Sequence, residues 1–343
     1  MHLSLPPRFY RYSCFLSSQR FPLLAMIGVA APLLLGVGCQ RNSSAQSAAQ
    51  SLTSPAPAAP TTAAPTTAAS GFDADRTFAD LKKQVAFGPR VPLTKGHTAC
   101  RDWILGELRK SAGETAKRQD FTVGLGGGRR LPMSNLVAQF NPGAKKQVLL
   151  CAHWDTRPTA DMEIDADKKK RPIPGANDGA SGVAVLLEMA RQFAAKPPPV
   201  GVQIVLFDGE DYGPGEDRMY LGAKHYAKRR ALPKPDYAIL LDMIGDKDLG
   251  IWREQNSEAN AADINDKIWN AAAALGVTAF QPGVKFTISD DHLPLQAAGW
   301  KAIDLIDFDY GPWHTLDDTP AQCSPASLKA VGDVLAKVVY DEK

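Results

Sequence analysis

Val202-Gln203-Ile204-Val205-Leu206-Phe207 runs straight into Asp208-Gly209-Glu210-Asp211, and this junction decides the fold. The first six residues, apolar and rich in β-branched side chains, read as a strand. Two adjacent carboxylates follow where the strand ends and the chain turns. Along a strand neighbouring side chains point to opposite faces, but past its carboxyl end one carboxylate can bind a metal while the other stays beside it as a base. A Glu-Asp pair standing alone is most often a solvated loop, so its meaning rests on what the rest of the chain brings to it.

Outward from the junction, apolar residues at helical spacing mark 78–87 and 99–111, the second through Trp103, Ile104 and Leu108. The segment 87–92 is a turn-rich connection, and 135–140 and 148–152 read as strands. Residues 181–193 predict a helix with Val183, Leu186, Leu187 and Ala190 on one face and Ser181 as its cap. Beyond the junction come a helix at 221–228, a strand at 237–241, a helix at 264–275, a strand at 302–306 and a last helix at 325–339. Strands alternating with helices predict an α/β fold, a three-layer α/β/α sandwich around a mixed, mostly parallel sheet. Ligands in such sheets bind beyond the carboxyl ends of the strands.

The ends of the chain differ from its middle. Arg8, Arg11 and Arg20 precede an uncharged apolar stretch, 21–37, interrupted by Pro32. That pattern reads as an export signal rather than a spanning helix. Leu35-Gly36-Val37-Gly38-Cys39 is similar to a bacterial lipoprotein cleavage box with its usual Leu displaced by one, which makes Cys39 the expected lipid attachment point. Simple cleavage and secretion is the alternative, and either places the protein outside the cytoplasm, in a bacterial envelope, periplasm or medium. Residues 40–70, almost wholly Ser, Thr, Ala, Pro and Gln, cannot bury enough apolar surface to repay ordering and read as a tether. A domain is then expected over 71–343, long enough for one α/β core.

The chain carries 39 Lys and Arg against 37 Asp and Glu. Without the three leader arginines the balance is close to neutral, with no footprint of a nucleic-acid partner. Cys100, Cys151 and Cys323 allow at most one disulfide, and no Cys-x-x-Cys zinc pattern exists.

The residues that follow the strands form a set. The strand at 148–152 delivers His153 and Asp155, and the loop Gly175-Ala176-Asn177-Asp178-Gly179 delivers Asp178 just before a helix. The opening junction delivers Glu210 and Asp211, the next strand Asp242, and the late loop Gly311-Pro312-Trp313-His314-Thr315 delivers His314. Taken singly, Asp178 could cap a helix, Asp242 could bond backbone amides and His314 could lie on the surface. Together they offer a catalytic zinc site, in which Asp178, Asp211 and His314 supply three ligands and leave a position open. Glu210 would then move protons beside the metal. His97 and His225, without acidic neighbours at strand ends, read as structural or surface residues.

From residue 87 to the C-terminus these motifs resemble the zinc exopeptidase family that contains bacterial aminopeptidases and glutaminyl cyclases. The order His-x-Asp, Asp-x-Ala-Ser-Gly, Glu-Asp, Leu-Asp, Ser-Asp-Asp-His and Trp-His-Thr carries the resemblance, and His153-Trp154-Asp155 and Trp313-His314-Thr315-Leu316-Asp317-Asp318 are its strongest parts. Asp290-Asp291-His292-Leu293-Pro294, Glu210-Asp211-Tyr212-Gly213, Leu241-Asp242-Met243-Ile244-Gly245 and Trp313 before His314 are most similar to the cyclase branch.

The resemblance implies one zinc on Asp178, Asp211 and His314, with Glu210 as acid/base and Asp242 and Asp290 as a supporting acidic network. Trp313 and His292 would line the substrate pocket. The second metal usual in the aminopeptidases would use His153 and Asp242 with Asp178 as the bridge, and Asp155 would stand at or near it. Residue 211 departs from the pattern, being Asp where many relatives carry Glu. The loop 214–216 and the basic run 167–171 border the site in this reading, or else are solvated surface. The expected reaction is conversion of an N-terminal Gln of a peptide or protein to pyroglutamate with release of ammonia, by a monomer. The alternatives are an aminopeptidase, with a metal-activated water and the same residues, and a surface lipoprotein that only binds.

Overall fold

A computed structural model of the protein describes residues 71–343. The segments expected to form an export leader and a tether, Cys39 included, lie outside the described residues. In chain order the elements are α1 (Ala74–Ala86), α2 (Lys95–Ala112), β1 (Lys117–Gly124), β2 (Arg130–Phe140), β3 (Gln147–His153), α3 (Ala180–Ala195), β4 (Gly201–Phe207), α4 (Leu221–Lys228), β5 (Tyr237–Asp242), β6 (Ile251–Arg253), α5 (Gln255–Leu275), β7 (Phe280–Val284), α6 (His292–Ala297), β8 (Ala302–Ile306) and α7 (Pro325–Asp341).

Six strands form one sheet in the order β1-β2-β4-β3-β5-β8, and β6 with β7 forms a separate pair. β1 and β2 run antiparallel to their neighbours, whereas β4, β3, β5 and β8 are parallel to one another. The four parallel strands are buried throughout, which explains their near-continuous apolar sequences. Alternation of side chains sorts them onto two faces. Leu150, Ile204, Ile239 and Leu305 pack with α1, α2, α3, α5 and α7 on one side. Leu149, Val205, Phe207 and Leu240 pack with Ala223 and Tyr226 of α4, Leu295 of α6, and Trp300 on the other. The sheet is therefore mixed and mostly parallel, with helices on both faces, as the alternation of elements predicts.

Helix α3 sits at the centre of the first face and is buried almost along its length. Gly182 makes this approach achievable, since a Cβ there would stand 2.4 Å from the Leu241 carbonyl oxygen. The expectation that Ser181 caps this helix is corrected. The cap position belongs to Gly179, at φ 94°. The Ser181 hydroxyl instead donates to the Asn177 carbonyl oxygen at 2.6 Å and accepts from the Ile244 amide. Helix α5 begins nine residues before the predicted 264, and its helical phase is broken at Ala261 (φ −151°). The apolar spacing legible from Ile264 onward belongs to the segment after that break.

Parallel strands put their carboxyl ends on one edge of the sheet. β3 and β5 are neighbours whose onward connections leave in opposite directions, toward β4 and β8 respectively. That arrangement opens a crevice beyond their ends, where open α/β sheets place ligands. Cys100, Cys151 and Cys323 are all free and buried. No helix among the described residues is long and apolar enough to cross a membrane.

Candidate metal centre and active site

The crevice receives the side chains that the strand ends deliver. β3 ends on His153 and β5 on Asp242, and His153 Nε2 lies 3.2 Å from an oxygen of Asp242 and 3.2 Å from one of Asp178. His314 Nε2 lies 3.8 Å from Asp178 and 3.7 Å from Asp211. Two donor triads result, His153-Asp178-Asp242 and Asp178-Asp211-His314, each with ligand atoms within 4.8 Å of one another and with Asp178 in both. Glu210 stands beside them, 3.8 Å from His153 Nδ1, as a member of neither.

Local backbone explains how so many polar groups converge. Gly179 at the start of α3 is required, because a Cβ there would lie 2.5 Å from the Asp155 carbonyl oxygen. Asp318 accepts from the backbone amides of Asn177 and Asp178 at 2.8 and 3.2 Å, and from the Tyr310 hydroxyl at 2.7 Å, fixing the loop that presents Asp178. Buried Arg90 grips the same loop through the carbonyl oxygens of Pro174 and Gly175. Asp155 is fully buried and accepts from the amides of Glu210 and Asp211, so it orients the junction rather than pointing at a metal. His314 and Met243 hold the left-handed backbone conformation, φ 55° and 45°, strain of the kind that persists where the surrounding structure over-determines a site.

The electrostatics follow from crowding carboxylates in a dry place. Burial, and then the charge of Asp211, hold Glu210 well above the usual carboxylate range. Burial and the charge of Asp178 push Asp211 up to about 7. Burial would raise Asp178 as well, but its hydrogen bond to His153 outweighs this and holds it below its ordinary value. His153 behaves as the partner should: burial opposes its charge, yet bonds to Asp155, Asp178 and Asp242 raise it well above the ordinary imidazole value. Asp290, Asp291 and Asp304 are all raised well above the carboxylate range, first by burial and then mainly by the charges around them.

These residues fit a metal. Zinc takes imidazole nitrogen and carboxylate oxygen in sets of three or four, and each triad supplies three such donors. Asp211 pairs one oxygen with the Arg157 guanidinium and leaves Oδ2 buried without a hydrogen-bond partner among the described residues. His314 Nδ1 is 3.0 Å from Asp161, which leaves Nε2 for an ion.

A cavity of about 380 Å³ opens over the centre, lined by Glu210, Asp242, Asp290 and Trp313 among others. The Trp313 ring stacks on the His314 imidazole at 3.9 Å between centroids. Ile288, Ile306 and Phe308 add an apolar wall. Glu216 of the 214–216 loop borders the cavity, whereas residues 167–171 line no part of it and lie on the surface.

The structure departs from expectation at His292. That residue does not line the cavity but is fully buried behind it, 3.3 Å from Glu254 and 3.7 Å from Asp304. It opens α6, and its ring lies in a buried group with Asp290 and Asp304, the three presenting donor atoms within 4.8 Å of one another. Sequence reasoning also missed Arg157, Asp161 and the purpose of Asp318, whose roles arise only through pairing with distant residues. His97 is structural, stacked on Trp154 at 4.3 Å and bonded to Asp208 at 2.9 Å. His225 stacks on Phe121.

Comparison with known proteins bears on the same residues. The model of peptidase family M28 matches residues 135–339. A glutaminyl cyclase of Tannerella forsythia of known crystal structure is 40% identical, covering 79% of this chain and 99% of its own, with a TM-score of 0.75. A leucine aminopeptidase precursor of Bacteroides thetaiotaomicron VPI-5482 is 38% identical over 79% of this chain and 98% of its own, at a TM-score of 0.76. A probable zinc metalloprotease of Pyricularia oryzae is 35% identical over 156 residues, 41% of this chain and 30% of the relative. The match thus spans about a third of that relative's length.

Proposed function

The chain belongs to peptidase family M28, and from that premise we propose that it is a zinc-dependent glutaminyl-peptide cyclotransferase, turning the N-terminal Gln of peptides or proteins into pyroglutamate. The observation that carries this reading is Asp290. It is buried, it lines the cavity with Glu210 and Asp242, and its Oδ2 accepts no hydrogen bond from a donor among the described residues. A cyclising substrate brings its own amine nucleophile into the site, and a carboxyl group on the cavity wall, crowded by Asp304, Asp242 and Asp291, is a place to orient that amine. Likeness to the Tannerella forsythia cyclase over nearly its whole length supports the same reading.

In this mechanism Asp178, Asp211 and His314 would hold the ion. A bound zinc would supply Lewis acidity to the substrate's side-chain carbonyl oxygen. Glu210 accepts a proton from the α-amine as its nitrogen bonds to the side-chain carbonyl carbon, and returns that proton to the departing nitrogen. The C–N bond to the old amide breaks, ammonia leaves and no water is consumed. Trp313, Ile306 and Phe308 wall the side chain off from solvent. With an export leader, the substrates would be peptides met outside the cytoplasm.

A second reading is favoured by one observation, the intact His153-Asp178-Asp242 triad. Two ions sharing Asp178 would suit an aminopeptidase in which Glu210 is the base for an attacking water. The zinc-loaded protein should therefore be given a Gln-initiated peptide and, separately, amino-acid anilides. Ammonia release with the matching mass loss, and no anilide cleavage, is the result expected. Anilide cleavage without ammonia would replace the cyclase reading by the hydrolase one.

A further inference from the structure

The catalytic cavity is not the only concavity at this edge of the protein. A groove of about 450 Å³ lies between α4 and α6, with Ala227, Leu293, Pro294 and Ala297 among its walls. It shares Glu216, Tyr220 and Ser289 with the catalytic cavity. The two spaces are therefore neighbours across a common wall, in which Tyr220 bonds to Ser289.

Tyr220 is built into that place. Its backbone is left-handed, φ 57° and ψ 31°, a conformation that costs a bulky residue free energy. Its amide donates to the Glu210 carbonyl oxygen at 2.8 Å and its hydroxyl to the Ser289 carbonyl oxygen at 2.8 Å. The Lys224 ammonium covers the ring at 5.3 Å and bonds the Glu216 carbonyl oxygen. The wall between cavity and groove is thus tied to the backbone of the acid/base residue, and two lysines, Lys224 and Lys228, border the groove against one acid, Glu216.

From this adjacency we infer that the groove receives the second to fourth residues of the peptide whose first residue occupies the catalytic cavity, and that it selects apolar side chains there. An extended chain leaving the cavity can pass over this wall at Glu216 and Ser289, both exposed and common to the two spaces, and so reach the groove. The lysines favour an acidic over a basic residue at its outer end. The natural substrates are then peptide chains of at least four residues rather than free glutamine or dipeptides.

The inference rests on the reading of the cavity as an N-terminal peptide site, and the test keeps the two apart. The zinc-loaded enzyme is assayed on Gln-Ala amide and on the pentapeptide amides Gln-Leu-Leu-Ala-Ala and Gln-Ser-Ser-Ala-Ala. kcat/KM for the Leu pentapeptide should exceed the other two by about tenfold or more, the discrimination a hydrophobic pocket gives. Ala297→Arg, at an exposed position in the groove, should collapse the ratio of Leu pentapeptide to dipeptide to about one. Equal kcat/KM for all three, or a ratio that survives Ala297→Arg, overturns the groove. Should the peptides be trimmed instead of cyclised, the cyclase reading fails while the same ratios of hydrolysis still decide the groove. Should neither reaction occur, calorimetric titration of the Glu210→Gln protein decides it: the Leu pentapeptide binding about tenfold tighter than the dipeptide upholds the groove, and equal binding overturns it.

Discussion

Asp161 lies 3.0 Å from Nδ1 of His314 and also receives Arg157 through Nε at 3.0 Å, so one half-exposed carboxylate steadies both the imidazole and the guanidinium that flank Asp211. An imidazole held in this way presents its other nitrogen in a fixed tautomer and direction. Burial works against the Asp161 charge, but the bond from His314 and the nearby Arg157 prevail and hold it down at about 2. Asp161→Ala should therefore weaken zinc affinity by about 10 to 100-fold. Competition with a chromophoric chelator measures this, and unchanged affinity would show that His314 is oriented by its backbone alone.

Glu210 tests the division of labour within the acidic pair. Glu210→Gln keeps size and hydrogen-bonding capacity but cannot move a proton, so kcat should fall by about 10²- to 10⁴-fold. Zinc content, measured by atomic emission, should stay at the wild-type level because Glu210 belongs to neither triad. Loss of metal in this variant would exchange the roles of Glu210 and Asp211.

The parallel strands and the residues at their ends were legible because each strand is buried on both faces and so is written as an apolar run. β1 was not legible. It is an edge strand whose Lys117, Arg118 and Asp120 are exposed, and only Phe121 is buried. α6 is six residues long and carries Pro294, too short to show a period. His292 was misread for the same reason, since the turn of a helix not visible in the sequence decides which way it points. Asp161 and Arg157 have no local pattern at all. Their meaning is a distance to residues far along the chain, and no spacing rule reaches that.

Metal stoichiometry separates the two enzymatic readings. Under the cyclase reading, one zinc per chain is expected, with Asp211→Asn emptying the site and His153→Gln leaving it filled. Two ions per chain, one of them lost in His153→Gln, would favour the hydrolase. The count should be made after dialysis against a weak chelator, so that surface ions are removed first.

Gly182 sets a helix propensity against a packing limit. In an open helix Gly→Ala gains about 1 kcal/mol, but here the new Cβ would stand 2.4 Å from the Leu241 carbonyl oxygen and 2.9 Å from the Ala152 side chain. Overpacking of this kind costs about 1 to 3 kcal/mol, so Gly182→Ala should lower stability in urea unfolding. A gain would mean that α3 can move off β5 at little cost.

Glu254 supplies a pH dependence that involves no metal ligand. It precedes α5, and its carboxylate accepts from the amides of Asn256, Ser257 and Ile288 at 2.8, 2.6 and 3.0 Å. Burial disfavours its charge, but His292 and these amides overcome the penalty and lower it from its ordinary 4.5 to about 2. A carboxylate depressed on folding stabilises the native state fully above its unfolded pKa, and that contribution is lost as pH falls through the folded one. The Glu254 contribution should therefore be complete above about pH 5 and drain away between about 4.5 and 2. Glu254→Gln should cost about 1 to 3 kcal/mol at pH 7, the range for losing a capping acceptor and a charge at a helix N-terminus. Urea titrations of both proteins from pH 7 to pH 3 should show the difference shrinking toward the acid end. A difference that stays constant would mean that Glu254 acts by shape rather than by charge.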